Sequence, residues 1–256
     1  MPPTIDIWIT RSLPARPILS ALAHFGLGIL AVIFGVHIFA TEWGLPPQSL
    51  LQALGIYSGI GILVVIQLPN YVLHPSFGIA NRITLIRAII VSILAGMVGH
   101  SSVLTESGLW LMLFFAAASL TLDGIDGWVA RRLHIQSMFG ACFDMEVDAA
   151  FILVLAVLTW ELEKVGGWVL LAGAMRYLFM IAGLPMHAFR RPLPPSRRRQ
   201  IACVTQTMAL LFALCPSVGP MTASILTGAA LFFLIISFGR DVSLLLTTTP
   251  SAGDHS

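Results

Sequence analysis

Long apolar runs separated by short polar breaks follow one another along the whole chain. The breaks contain proline, glycine or charged residues, which end helices, and we find no soluble domain or low-complexity segment between the runs. Because a helix needs about 20 apolar residues to cross a bilayer, each run predicts one transmembrane helix. The pattern predicts eight helices, at 18–40, 50–68, 79–98, 108–130, 143–161, 166–185, 200–216 and 220–238.

The composition supports an all-α integral membrane protein. Hydrophobic residues fill 57% of the 256 positions and charged residues only 10%, whereas soluble domains carry about 25% charged residues. The net charge is only +2, and no basic stretch alternates with aromatic residues. The sequence therefore gives no reason to expect nucleic-acid binding.

Four aspartates stand out within this apolar chain, at Asp123, Asp126, Asp144 and Asp148. The first two are three residues apart and the last two are four apart, so each pair shares one face of a helix. A carboxylate at membrane depth is costly and marks a functional site by default. An antiparallel helix pair carrying these groups predicts a site for a hard divalent cation, Mg²⁺ or Mn²⁺, at the membrane face.

A purely structural alternative is a polar helix pair held by salt bridges. In that reading Arg131 and Arg132 neutralise the aspartates. Two arginines cannot balance four carboxylates plus Glu146, so the metal site is favoured.

The basic residues fix the expected orientation. With eight spans and a cytoplasmic N-terminus, all but two of the 14 basic residues fall on the same side as the aspartates. Lys164 falls on the far side and Arg176 within a helix. Cytoplasmic loops are enriched in Lys and Arg, so we expect a multi-pass protein whose site faces the cytoplasm, in a bacterial inner membrane. The residues on the site's side are Arg11, Arg16, Arg82, Arg87, Arg131, Arg132, Arg190, Arg191, Arg197, Arg198, Arg199 and Arg240.

The acidic region also carries a specific spacing. Asp126-Gly127 is followed by Ala130-Arg131 and, after eight residues, by Gly140. Three residues then separate Gly140 from Asp144, and three more separate Asp144 from Asp148. This pattern, with Asp123 ahead of it, resembles the signature of the CDP-alcohol phosphatidyltransferase family. A second family pattern, Pro-Asn-x-x-Thr-x-x-Arg, is matched by Asn81, Thr84 and Arg87, with Ala80 in place of the proline.

The resemblance implies a six-helix catalytic membrane domain. We place it at 76–240, after an N-terminal tail and two additional helices (1–75) and before a C-terminal tail (241–256). The family transfers a phosphatidyl group from CDP-diacylglycerol to an alcohol and releases CMP. The role of the two additional helices stays open at this level.

The resemblance also implies roles for individual residues. One or two Mg²⁺ or Mn²⁺ ions would be held by Asp123, Asp126, Asp144 and Asp148, and Asp148 would also be the general base. The expected contacts to the CDP-lipid are Gly127, Ala130, Arg131, Gly140, Asn81, Thr84 and Arg87.

The acceptor is less defined. Arg176 either binds the phosphate of an anionic acceptor or pairs with a site aspartate. Glycerol 3-phosphate is favoured, because Arg176 and the nearby loop arginines suit an anionic alcohol, while inositol phosphate, serine and choline stay open. Membrane lipid is an expected partner, and a homodimer is another.

Two other classes of protein also use acidic groups in membranes. An intramembrane prenyltransferase would pair two separated Asp-rich motifs, but Leu122 precedes Asp123 where an asparagine is expected, and we find no second motif downstream. A non-enzymatic cation transporter would explain the acids but not the spacing of the glycines, Ala130 and Arg131.

Overall fold

The computed structural model describes residues 15–67, 78–132, 137–182 and 197–247, and in these segments the chain is all-helical, with no strand. Eight α-helices are present here, as the apolar pattern predicts. They are α1 (Ala15–Trp43), α2 (Gln48–Gln67), α3 (Ile79–Ala95), α4 (Glu106–Arg132), α5 (Met138–Glu161), α6 (Leu170–Ala182), α7 (Arg197–Leu214) and α8 (Pro220–Thr247).

Three helices in this described part are long and apolar enough to cross a membrane. They are the segments Leu22–Trp43 of α1, Glu106–Arg132 of α4 and Pro220–Arg240 of α8. Helix α2 has a shorter apolar segment, Gln48–Val64. The chain is therefore a membrane-associated helical protein.

Three helices differ from their expected bounds by four or more residues at one end. Helix α5 begins at Met138 rather than 143, directly after its N-cap, Ser137. Helix α6 begins at Leu170 rather than 166, because the chain from Gly167 to Val169 forms a 3₁₀ turn, and glycine weakens a helix. Helix α8 continues to Thr247, well past the expected end at 238. No proline or glycine follows Gly239 in this helix to end it.

Consecutive helices run in opposite directions, because alternate connections meet at one end of the molecule, called here the distal end (residues 44–47, 96–105, 162–169 and 215–219). There the Trp43 indole N–H donates to Thr105 Oγ1 at 3.0 Å. Lys164 Nζ donates to the carbonyls of Cys215, Pro216 and Val218 at 3.4, 3.2 and 2.5 Å. These carbonyls directly follow the end of α7, where a cation complements the negative end of the helix dipole.

Glu161 joins two of the distal connections. Its carboxylate accepts the Gly99 N–H at 2.7 Å, the Ser101 N–H at 2.9 Å and the Ser101 hydroxyl at 2.7 Å. These bonds tie the end of α5 to the connection between α3 and α4.

We expect Glu161→Gln to destabilise the fold without lowering activity per folded molecule. Whichever way the amide is turned, its NH₂ faces a donor, so at least one charge-assisted bond is lost, at a cost of about 1–3 kcal/mol. Thermal unfolding in detergent measures this as a midpoint lowered by several degrees. The matched control is Glu163→Gln, since Glu163 is exposed in the same connection. Equal midpoints for the two variants would contradict this role of Glu161.

The two N-terminal helices pack against the rest of the bundle on α3 and α5. The ring of Phe25 in α1 lies 5.6 Å from that of Phe143 in α5, centre to centre, and Tyr57 in α2 donates its hydroxyl to the Phe25 carbonyl at 3.1 Å. A Cβ on Gly96 would stand 2.7 Å from the carbonyl oxygen of Ser49. Helices α1 and α2 therefore support the back of the helices that carry the site.

Helix α5 is the centre of the bundle. It packs against α2, α3, α6 and α7, and Phe143, Val147, Leu155 and Leu158 are fully buried. Helix α6 approaches it closely, since a Cβ on Gly173 would lie 2.4 Å from the backbone of Leu153. This packing holds the aspartates of α5 at a fixed depth.

Candidate active site

Helices α3, α4 and α5 meet around one buried arginine, Arg87, whose side chain is 1% exposed. Its Nη1 lies 3.0 Å from Asp123 Oδ1, 3.3 Å from Asp126 Oδ2 and 2.5 Å from Asp144 Oδ1. Its Nη2 bonds to Asp148 Oδ1. All four aspartates singled out in the sequence are thus brought together around a single side chain.

Helical spacing accounts for the arrangement within each helix. Asp123 and Asp126 project from one face of α4, and Asp144 and Asp148 from one face of α5. On α3, Thr84 is three residues before Arg87 and donates its hydroxyl to Asp126 Oδ2 at 3.1 Å. Three helices therefore each present one polar face to the same point.

The four aspartate side chains differ in how far they are exposed. The side chain of Asp126 is 4% exposed, that of Asp123 26%, that of Asp144 37% and that of Asp148 44%. Asp148 lies ten residues into α5, or about 15 Å along the helix. Asp148 is therefore the most accessible of the four carboxylates, although it lies deep along α5.

Three of the carboxylates lie close enough together to hold a divalent cation. Asp123, Asp126 and Asp144 each offer an oxygen, and the three oxygens lie within 4.8 Å of one another. Hard cations such as Mg²⁺ and Mn²⁺ take oxygen ligands of this kind. Arg87 supplies one positive charge against four carboxylates, so a further cation fits the charge of the site. Asp148 is outside this group of three.

The motif glycines make room for polar neighbours. A Cβ on Gly140 would stand 2.7 Å from Asn81 Oδ1 and 3.0 Å from Ser137 Oγ. A Cβ on Gly127 would stand 3.2 Å from Arg131 Nη1. Small residues at these positions let the amide of Asn81 and the guanidinium of Arg131 approach the helix backbones.

One residue of this region was not foreseen from the sequence. Ser137 is the N-cap of α5, and its hydroxyl accepts the Gly140 N–H at 3.0 Å. The signal was present, since serine just before an apolar run is a typical helix start. Ser137 fixes the first turn of α5, where Gly140 meets Asn81.

The salt-bridge alternative placed Arg131 and Arg132 against the aspartates, and the structure does not show this arrangement. In the described residues the ion pairs to the aspartates come from Arg87. Arg131 and Arg132 are exposed at the end of α4, and Arg132 lies over the ring of Trp128 at 5.7 Å. Ala130 is half-buried beside them. Arg176 is in α6, but its side chain is outside the described residues.

Comparison with models of protein families shows which family the chain belongs to. Residues 77–236, from just before α3 through most of α8, match the model of the CDP-alcohol phosphatidyltransferase family. The chain belongs to this family, which is a family of phosphotransferases. The membership argues against the intramembrane prenyltransferase and the non-enzymatic transporter. Comparisons with curated proteins and with solved structures give no match.

Proposed function

We propose that the protein transfers a phosphatidyl group from CDP-diacylglycerol to a hydroxyl acceptor in a metal-dependent reaction that releases CMP. The observation that carries this proposal is the convergence of Asp123, Asp126 and Asp144 within 4.8 Å, inside the segment that matches the family. The reaction serves phospholipid biosynthesis.

The metal would be Mg²⁺ or Mn²⁺, held by Asp123, Asp126 and Asp144, with Asp148 at the edge of the same site. When bound, such an ion neutralises charge on the diphosphate and polarises its phosphoryl oxygens. Phosphoryl transfer depends above all on positioning and charge stabilisation. Carboxylates fixed on α4 and α5, each of which packs against α3, supply that positioning.

Asp148 is proposed as the general base. The acceptor oxygen bonds to the phosphorus of the phosphatidyl group, the P–O bond to CMP breaks, and the acceptor proton goes to the Asp148 carboxylate. Asp148 is the most exposed of the four aspartates, at 44%, so it is the one most accessible to an acceptor. Its separation from the three-carboxylate group supports a role distinct from theirs.

The donor would lie along the ends of α3, α4 and α5 on the side of the site. Asn81, Thr84 and Arg87 face it from α3, and Arg131 offers a forked guanidinium suited to a phosphate. Gly127, Ala130 and Gly140 would line the cytidine-diphosphate pocket, with Arg131 and Asn81 close to the two glycines. The contacts of Asn81 with Gly140 and of Arg131 with Gly127 support this placement.

The preferred acceptor is proposed to be glycerol 3-phosphate, with Arg176 as a cation for its phosphate. Inositol phosphate, serine and choline are the other candidates. This preference rests on the basic residues of the sequence.

We place the site at the cytoplasmic face of a bacterial inner membrane, in a protein that crosses it eight times and forms a homodimer. Among the described residues, Arg82, Arg132, Arg197 and Arg240 lie toward the helix ends on the side of the site, as the enrichment of basic residues in cytoplasmic loops requires. Lys164 lies at the distal end.

The direct test follows CMP release by the purified protein from CDP-diacylglycerol with Mg²⁺ or Mn²⁺ and a panel of alcohols. We expect CMP to appear only when an acceptor is added, and fastest with glycerol 3-phosphate. Faster release with another alcohol would show that glycerol 3-phosphate is not the preferred acceptor. Absence of CMP with every alcohol would contradict the proposed reaction.

A further inference from the structure

Arg87 contacts the same three carboxylates that could hold a metal ion. Its Nη1 reaches Asp123, Asp126 and Asp144 at 3.0, 3.3 and 2.5 Å, and these are the residues whose oxygens lie within 4.8 Å of one another. A divalent cation binds such oxygens at about 2.0–2.1 Å. The guanidinium and the cation would then share the same three carboxylates and repel each other.

We propose that Arg87 is a positioning residue that competes with the divalent cation for these carboxylates and, once displaced, binds the diphosphate of the donor. Arg87 thereby couples the two binding events: occupation of the carboxylates by the metal frees the guanidinium that the nucleotide needs. This inference rests on the proposed function, since it assumes the metal and the CDP-lipid.

A second observation points in the same direction. Arg87 Nε is buried and has no hydrogen-bond partner within the described part of the chain. A buried donor left unpaired is unfavourable, so this guanidinium is not fully satisfied among the aspartates. A phosphate group, with several acceptor oxygens, can accept from a guanidinium at two positions at once.

Two of the carboxylates that Arg87 contacts are accessible without its leaving, since Asp144 and Asp148 are 37% and 44% exposed. Thr84 donates to Asp126 independently of Arg87. Asp126 therefore keeps one partner when the guanidinium leaves.

The test measures Mn²⁺ binding directly, by electron paramagnetic resonance of the free ion, in purified protein without substrate. We expect Arg87→Met to bind Mn²⁺ about tenfold more tightly than the parent, as the loss of a unit charge a few ångströms away implies. The matched control is Arg132→Met, which removes an exposed positive charge at the C-terminal end of α4. We expect its Mn²⁺ affinity to stay within about twofold of the parent.

A second readout isolates the coupling, with CDP as a soluble probe. In the parent, Mn²⁺ should strengthen CDP binding, and CDP should strengthen Mn²⁺ binding by the same factor. In Arg87→Met we expect this mutual factor to fall by at least about threefold. Loss of a merely structural residue would weaken both ligands instead of strengthening one and uncoupling the other.

Removing Arg87 leaves four carboxylates without their arginine, so the variant is purified in Mn²⁺ and its thermal unfolding is recorded before and after chelation. Arg87→Lys is made in parallel and should bind Mn²⁺ with an affinity between the parent and Arg87→Met. If both Arg87 variants bind Mn²⁺ no more tightly than a parent that does bind it, the inference is overturned and the proposed function stands. If the parent binds no Mn²⁺, both are overturned.

Discussion

Asp144→Ala should lose both Mn²⁺ binding and CMP release. The Asp144 carboxylate is one of three in the described part of the chain whose oxygens lie within 4.8 Å of one another, and alanine offers no ligand in its place. Loss of a partner outside the coordination shell already costs up to about 100-fold in metal affinity or activity, so we expect at least that loss for a ligand itself. Titration of CMP release with Mn²⁺ measures the effect.

The control for this variant removes a carboxylate elsewhere on the helices. Glu106 is in the first turn of α4 at the distal end and is exposed, so Glu106→Ala should keep the metal titration of the parent. A normal Mn²⁺ titration in Asp144→Ala would show that Asp144 is not a ligand. An equal loss in Asp123→Ala would support the shared site.

Asp148→Asn should lose turnover while still binding the metal ion and the nucleotide. The amide has the size of the carboxylate and an oxygen for the bond to Arg87 Nη2, but it cannot take up the proton of the acceptor. General-base catalysis contributes about 10²–10⁴-fold, and we expect kcat to fall by a factor in this range. Direct binding of Mn²⁺ and of CDP should stay close to that of the parent.

The two possible roles of Asp148 give different results in this variant. Activity equal to that of the parent would contradict its assignment as the base. Metal affinity reduced as strongly as in Asp144→Ala would make Asp148 a fourth ligand, and the base would have to be sought elsewhere.

Most of the fold could be predicted from the sequence because membrane-length apolar runs are a strong signal. All eight predicted helices are present, and the aspartates fall on α4 and α5 as expected. The exceptions have local causes. Ser137 caps α5 earlier than the expected start at 143, and Gly167 opens a 3₁₀ turn instead of a helix. No proline or glycine lies between Gly239 and the end of α8 at Thr247.

The site could be predicted within each helix but not between helices. Residue spacing shows that Asp123 and Asp126 share a face, because helical geometry is local. It does not show that Arg87, 36 or more positions earlier in the sequence, reaches all four aspartates, because that depends on how α3 packs against α4 and α5. From the sequence we expected Arg87 to contact the nucleotide, and we considered Arg131 and Arg132 as partners of the aspartates.

The same limit applies to the distal end and to the N-terminal helices. Glu161 bonds to Gly99 and Ser101 across about 60 positions, and no sequence pattern around these residues predicts the contact. The contact between Phe25 and Phe143 likewise depends on packing, so the sequence left the place of α1 and α2 open.

The most direct measurement is CMP release from CDP-diacylglycerol by protein treated with EDTA, before and after Mn²⁺ is returned. If the aspartates on α4 and α5 hold the ion that orients the diphosphate, CMP release stops on chelation and returns with Mn²⁺ in the parent but not in Asp144→Ala. Undiminished release of CMP in excess EDTA would contradict the account.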